Sequence, residues 1–124
     1  MRKKHCEVVS NKSHITVDIQ SVIRSKKSIK QWAYILHDKD DTAAHYHIYL
    51  NFGRVTVSYD TVAKWFMVPI THVSSLGLTG LSSGNYFLYL VGYQPRQERK
   101  FRYSPNKVKA NFDFNKEVLK NILF

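Results

Sequence analysis

The sequence predicts an α+β domain, an antiparallel sheet with helices packed on it, and three observations carry the prediction. Apolar segments of strand period and of helix period alternate along the chain. Two of the strand-like segments are joined by a loop of hairpin length, which requires antiparallel pairing and disfavours a doubly wound parallel fold. The chain of 124 residues, 44% hydrophobic and 14% aromatic, fills one compact core and is short for two.

The elements follow in order. A strand is expected around His5 to Val9, then a helix from about Val17 to Lys27 with Asp18 supporting its first turn. Gln31 to Leu36 (QWAYIL) is rich in β-favouring residues and reads as a buried strand. The loop HDKDDTAA leads into the clearest strand, His45 to Phe52 (HYHIYLNF). Period two puts Tyr46, Ile48, Leu50 and Phe52 on an apolar face and His45, His47, Tyr49 and Asn51 on a polar one. Thr56 to Phe66 reads as a helix and Ile70 to Ser74 as a strand. Leu81 to Tyr93 reads as a second helix despite Gly84 and Gly92. After a basic stretch, Val118, Leu119, Ile122 and Leu123 mark a terminal helix. No repeat, low-complexity tract or long linker interrupts the chain, so residues 1–124 read as a single domain.

Charge narrows the function classes. The 19 Lys and Arg outweigh 9 Asp and Glu, a formal +10 that draws a folded domain of this size toward polyanions. No basic amphipathic helix stands out, which favours nucleic acid over a membrane surface. The one cysteine, Cys6, excludes an internal disulfide framework and a Cys-rich zinc site and fits a reducing compartment. No apolar run approaches the roughly 20 residues of a membrane span, and the N-terminus lacks a signal-peptide core. A cytoplasmic location is therefore expected. Cations gather at Arg2 to Lys4, from Arg24 to Lys30, and most densely at Arg96, Arg99, Lys100, Arg102, Lys107 and Lys109. This last group is a candidate for phosphate contacts, the alternative being a solvated face. Asp38, Asp40 and Asp41 crowd into one loop, either as an ordinary acidic turn or as part of a site.

Two patterns carry chemistry. His45 and His47 lie two apart on a strand, so both leave one face about 6 to 7 Å apart, a spacing that can chelate one ion. That face bears no large aliphatic residue, which weakens the reading of two satisfied core histidines. The hairpin returns His37 and the acidic loop beside them, giving a mixed nitrogen and oxygen donor set that suits Mn²⁺ or Mg²⁺ and also admits Zn²⁺. The second pattern is Tyr86, Tyr89 and Tyr93, which fall on one side of a helix, with Phe87, Leu88 and Val91 on the other. Either these tyrosines pack at the edge of the core with wet hydroxyls, or one of them is a nucleophile toward phosphorus. A free phenol is only about one part in a thousand ionised at pH 7, so a nucleophilic role needs a polarised phosphate and nearby cations.

Together, LHDKD, AHYHIYL and YFLYL, followed by a basic stretch and NFDFN, resemble the HUH endonuclease superfamily. They are most similar to the replication initiator proteins of rolling-circle plasmids from Gram-positive bacteria. The resemblance runs from about Trp32 to Asn115 and rests on the ordered set, since His-x-His alone is a weak signal. It implies a ferredoxin-like or RRM-like sheet of about five antiparallel strands with helices packed on it. It implies His37, Asp40, His45 and His47 as metal ligands, and Tyr89, in its Leu-Tyr-Leu context, as nucleophile, with Tyr86 and Tyr93 as possible second tyrosines. Val91-Gly92 stands where relatives often carry Thr-His. The implied reaction is a transesterification that nicks origin DNA, leaves a 5′-phosphotyrosine and frees a 3′-hydroxyl for the host replication machinery. Lys39 is expected to steady the phosphate, the basic stretch to hold the backbone, and Tyr103 to stack on unpaired bases of single-stranded or hairpin origin DNA. The resemblance also implies a further C-terminal part for homo-oligomerisation, so this chain is expected to be the nuclease domain of a longer initiator. Two other readings compete: a non-catalytic single-stranded nucleic-acid-binding module with an RRM-like sheet, and a transposase or relaxase of the same superfamily.

Overall fold

The computed structural model describes residues 2–39, 43–76, 83–92 and 102–122. Its strands are β1 (Arg2–Lys3), β2 (His5–Asn11), β3 (Gln31–His37), β4 (His45–Asn51), β5 (Val57–Ser58), β6 (Val73–Ser74) and β7 (Lys109–Ala110). Its helices are α1 (Ile19–Ser25), α2 (Tyr59–Phe66), α3 (Ser83–Leu90) and α4 (Phe114–Ile122). Five strands form one antiparallel sheet in the order β6-β2-β4-β3-β7, and β1 pairs β5 in a separate two-stranded ribbon. The α+β class holds.

β4 is the central strand, and both its faces are covered. On one face Cys6, Val8, Tyr34, Ile48 and Leu50 pack with Ile19 and Ile23 of α1 and with Val62, Ala63 and Phe66 of α2. On the other, Ala33, Ile35 and Tyr49 pack with Tyr86, Phe87 and Leu90 of α3 and with Phe114 and Val118 of α4. The face that carries the histidines is thus roofed by a helical layer, because Tyr49, with no exposed surface, supplies an apolar ring between polar neighbours.

Other differences from expectation have local causes. Asp18 stands at the N-cap of α1, where its carboxylate takes the Ser21 hydroxyl at 2.7 Å. α2 begins at Tyr59, later than composition implies, because Val57 and Ser58 pair with β1 and Ser58 then accepts the Thr61 N–H at 3.1 Å. Ile70–His72 forms a 3₁₀ turn, which leaves only Val73 and Ser74 as strand. α3 stops at Leu90, where Gly92 adopts φ +85°. The short strand β7, hidden in the basic stretch, pairs Ala110 with Ala33, and Asn111 extends that pairing by accepting the Trp32 N–H at 2.8 Å through its side chain.

Candidate functional site

The β3–β4 hairpin builds the site. Its register sets His37 directly opposite His45 and Ile35 opposite His47, so three imidazoles leave the same face next to the loop. One ring nitrogen from each of His37, His45 and His47 lies within 4.8 Å of the others. His37 and His47 are buried, at 7% and 5% exposure, while His45 is partly open to solvent.

Each ring has one nitrogen in a hydrogen bond or facing a carboxylate. His37 Nε2–H donates to the Leu90 carbonyl at 2.7 Å, and its Nδ1 is on the other side of the ring. His45 Nδ1–H donates to the Ala43 carbonyl at 2.8 Å, and His47 Nδ1 faces the Glu7 carboxylate at 3.5 Å, so both keep Nε2 for a ligand. A histidine fixed by a carbonyl or carboxylate on one nitrogen and unprotonated on the other is what metal binding requires. The chemistry of this donor set fits a divalent cation.

Glu7 is the residue that sequence reasoning missed. It lies on β2 opposite Tyr49, with no exposed surface, and its Oε2 also accepts the Tyr86 hydroxyl at 2.7 Å. The available signal was a single acid alternating with apolar neighbours, Cys6 and Val8, in a strand whose second face also had to be buried.

The tyrosine face of α3 points toward the sheet, contrary to the edge-of-core expectation. Tyr86 is fully buried and stacked on Tyr49 with centroids 5.6 Å apart. Polar acceptors on the sheet let a hydroxyl turn inward without losing its hydrogen bond. Burial first, then the Glu7 charge and the hydrogen bond to it, push the Tyr86 hydroxyl well above the ordinary phenol range. Tyr89, one turn on, is half-buried, and its ring meets His47 edge-on at 6.0 Å. Burial, and secondarily Glu7, raise its pKa as well. The geometry therefore separates the two tyrosines: Tyr86 is committed to Glu7, and Tyr89 borders the imidazole cluster.

Tyr103 departs from expectation. It is 4% exposed and lies flat on His37, with centroids 4.6 Å and planes 10° apart, so it is no surface platform for bases. Its N–H donates to the Val91 carbonyl and its hydroxyl accepts the Lys39 N–H at 2.9 Å, which ties the end of α3 to the hairpin loop. Lys39, Arg102 and Lys107 border one cleft beside this ring. Lys109 borders a different hollow, with Lys12 and Tyr46, because β7 pairs it with Tyr34, whose side chain packs in the core layer of α1 and α2. Asp40, Tyr93, Arg96, Arg99 and Lys100 lie outside the described residues.

Comparison with known proteins fits these features. Residues 1–117 match the family model described as the plasmid replication protein origin-binding domain. The chain is also 32% identical over 143 residues to a "Replication protein" of Onion yellows phytoplasma (strain OY-M). That alignment takes in 98% of the chain but only 36% of the longer relative. Among the described residues no helix is long and apolar enough to cross a membrane. With the match covering nearly its whole length, the chain belongs to the origin-binding domain family of plasmid replication proteins.

Proposed function

We propose that this domain nicks and rejoins one strand of origin DNA as an HUH-type nuclease, with Tyr89 as nucleophile. The observation that supports this most directly is the position of Tyr89, beside a cluster in which one ring nitrogen from each of three imidazoles lies within 4.8 Å of the others. His37, His45 and His47 would hold a divalent metal, with Asp40 as a fourth ligand by resemblance to the rolling-circle initiators. Three imidazoles suit Mn²⁺ better than Mg²⁺, which prefers oxygen donors and keeps its waters. When bound, the cation supplies Lewis-acid polarisation of a phosphoryl oxygen.

The chain's own residues do the rest. The α3 backbone carries Tyr89 to the cluster, and Tyr86 holds Glu7, which orients His47. The Tyr89 Oη bonds to phosphorus as the bond from phosphorus to the 3′-oxygen breaks. The phenol loses its proton and the departing 3′-oxygen gains one. One phosphodiester replaces another, so rejoining is the same reaction reversed and no nucleotide hydrolysis is needed. The freed 3′-hydroxyl would prime synthesis by the host machinery. The sheet edge and the cations near the hairpin would hold the strand, and oligomerisation would fall to a further C-terminal region.

The test is incubation with a single-stranded oligonucleotide carrying the origin, with Mn²⁺ and after chelation. A covalent protein–DNA adduct that requires Mn²⁺ and vanishes in Tyr89→Phe is the expected result. Binding without any adduct would instead identify a non-catalytic binding module, and an unchanged adduct in Tyr89→Phe would remove Tyr89 from the role.

A further inference from the structure

The last carbonyls of a helix have no partner further along it and must find one elsewhere. At the end of α3 the Val91 and Gly92 N–H groups turn back to the Leu88 and Tyr89 carbonyls, at 3.3 and 3.1 Å. The next two carbonyls reach outside the helix. That of Leu90 accepts His37 Nε2–H at 2.7 Å, and that of Val91 accepts the Tyr103 N–H at 2.9 Å. The two rings held in this way lie flat on each other, with centroids 4.6 Å and planes 10° apart. The Tyr103 hydroxyl then accepts the Lys39 N–H at 2.9 Å, two residues past His37. These contacts form a closed circuit from the end of α3 to the hairpin loop and back.

We propose that Tyr103 is a positioning residue for the imidazole cluster: its ring sets the plane of His37, its hydroxyl anchors the start of the acidic loop, and its N–H docks both on the end of the helix that carries Tyr89. A single hydrogen bond through Nε2 leaves an imidazole free to swing about that bond. A second ring against its face removes the freedom, and the direction of a ligand nitrogen depends on the plane of its ring. A tyrosine that only filled space would need neither the parallel stack nor an inward hydroxyl. The carbonyl that holds His37 belongs to the residue after Tyr89, so the circuit also fixes the cluster relative to that tyrosine. Asp40 directly follows Lys39 in the sequence, which places the hydroxyl anchor next to the acid that the resemblance assigns to the metal.

The role in catalysis rests on the nuclease reading, but the test needs neither DNA nor an adduct. Tyr103→Phe keeps the ring and removes the acceptor of the Lys39 N–H, whereas Tyr103→Leu removes the ring. Long-range ¹⁵N–¹H NMR of the metal-free chain reads the His37 tautomer, amide hydrogen exchange reads Lys39, and calorimetry reads Mn²⁺. In the parent and in Tyr103→Phe, His37 is expected to carry its proton on Nε2, and in Tyr103→Leu its signals should move toward a mixture of tautomers. Mn²⁺ affinity should fall about ten-fold or more in Tyr103→Leu. In Tyr103→Phe the Lys39 amide should exchange about ten-fold faster while those of β3 hold. Circular dichroism checks that each chain is folded, and if Tyr103→Leu does not fold, the Lys39 exchange in Tyr103→Phe decides. An unchanged His37 signal and Mn²⁺ affinity in folded Tyr103→Leu, or an unchanged Lys39 exchange in Tyr103→Phe, would overturn the proposal. Either failure strikes this inference alone, and a parent chain that passes these measurements but forms no adduct strikes the nuclease reading alone.

Discussion

Replacing Tyr86 and Tyr89 one at a time by phenylalanine separates structure from chemistry on a single helix. Tyr86 donates to Glu7 at 2.7 Å, and neither residue has exposed surface, so Tyr86→Phe removes a buried hydrogen bond to an ionised acceptor. Such bonds contribute about 1.5 to 3 kcal/mol. For a domain of this length 1 kcal/mol corresponds to roughly 3 to 6 °C in Tm, so a fall of about 10 °C is expected. Tyr86→Phe should still form the covalent adduct below its lowered melting range. Tyr89→Phe should form none while keeping the fold, since the half-buried ring and its contact with His47 remain. Thermal unfolding by circular dichroism and a denaturing gel of the DNA adduct read the two effects. A Tyr86→Phe chain that melts within about 2 °C of the parent would refute the argument from the buried bond. One that is stable but adduct-free would refute the division of labour between the two tyrosines.

Other outcomes follow from the same contacts. Glu7→Gln weakens the partner that orients His47, and such changes around a metal site typically cost about 10 to 100-fold in affinity, which titration of Mn²⁺ by calorimetry would measure. Met67 closes α2 in the left-handed region at φ 55° with its side chain 70% exposed, so Met67→Gly should stabilise the chain by about 1 kcal/mol in urea unfolding. Burial first, then Glu7, pushes the Cys6 thiol up to about 12 from 9.0. The unfolded chain therefore releases this proton first, so the stability it represents is complete below pH 9 and is lost as pH rises toward 12, by about 2 kcal/mol at pH 10.5. Urea midpoints from pH 8 to 10.5 should fall accordingly, and Cys6→Ala should flatten that limb; a midpoint independent of pH would contradict it.

What the sequence disclosed and what it hid divide along physical lines. The strands Gln31 to Leu36 and His45 to Phe52 were legible because their composition and period are local properties. Their hairpin was legible because the loop is short, and with it came the meeting of His37 with His45 and His47. The covering of the histidine face was not legible, because period two reports which side chains share a face and not whether a helix lies over it. Tyr49 sat among polar residues in the pattern and is nonetheless wholly buried. The environment of α3 was only half legible: Phe87, Leu88 and Val91 are buried as the pattern implies, but Tyr86 is buried too, because Glu7 on the sheet gives its hydroxyl a partner inward. Glu7 itself lies 40 positions from His47, and no local pattern joins them. Tyr103 and Lys39, 64 positions apart, meet only because the chain returns to the end of α3.

The placement of Glu7 also bears on why the site is built this way. A carboxylate with no exposed surface is costly to bury, and an apolar residue of similar volume at such a position is often neutral or stabilising. Here Glu7 receives the Tyr86 hydroxyl and faces His47, so its charge is matched by groups that themselves belong to the site. The same negative charge helps hold both tyrosine hydroxyls in the protonated form. Packing alone would favour removing Glu7, Tyr86 and His47 together in favour of an apolar core. A networked acid, phenol and imidazole instead fixes the ring plane of His47 and keeps α3 in register over the histidines, and fixed geometry is what an imidazole cluster needs to hold an ion. A triple replacement by apolar residues of similar volume is therefore expected to fold at least as stably as the single Tyr86→Phe variant while losing Mn²⁺ binding altogether. Retained Mn²⁺ affinity in that chain would show that His37 and His45 suffice without the buried network.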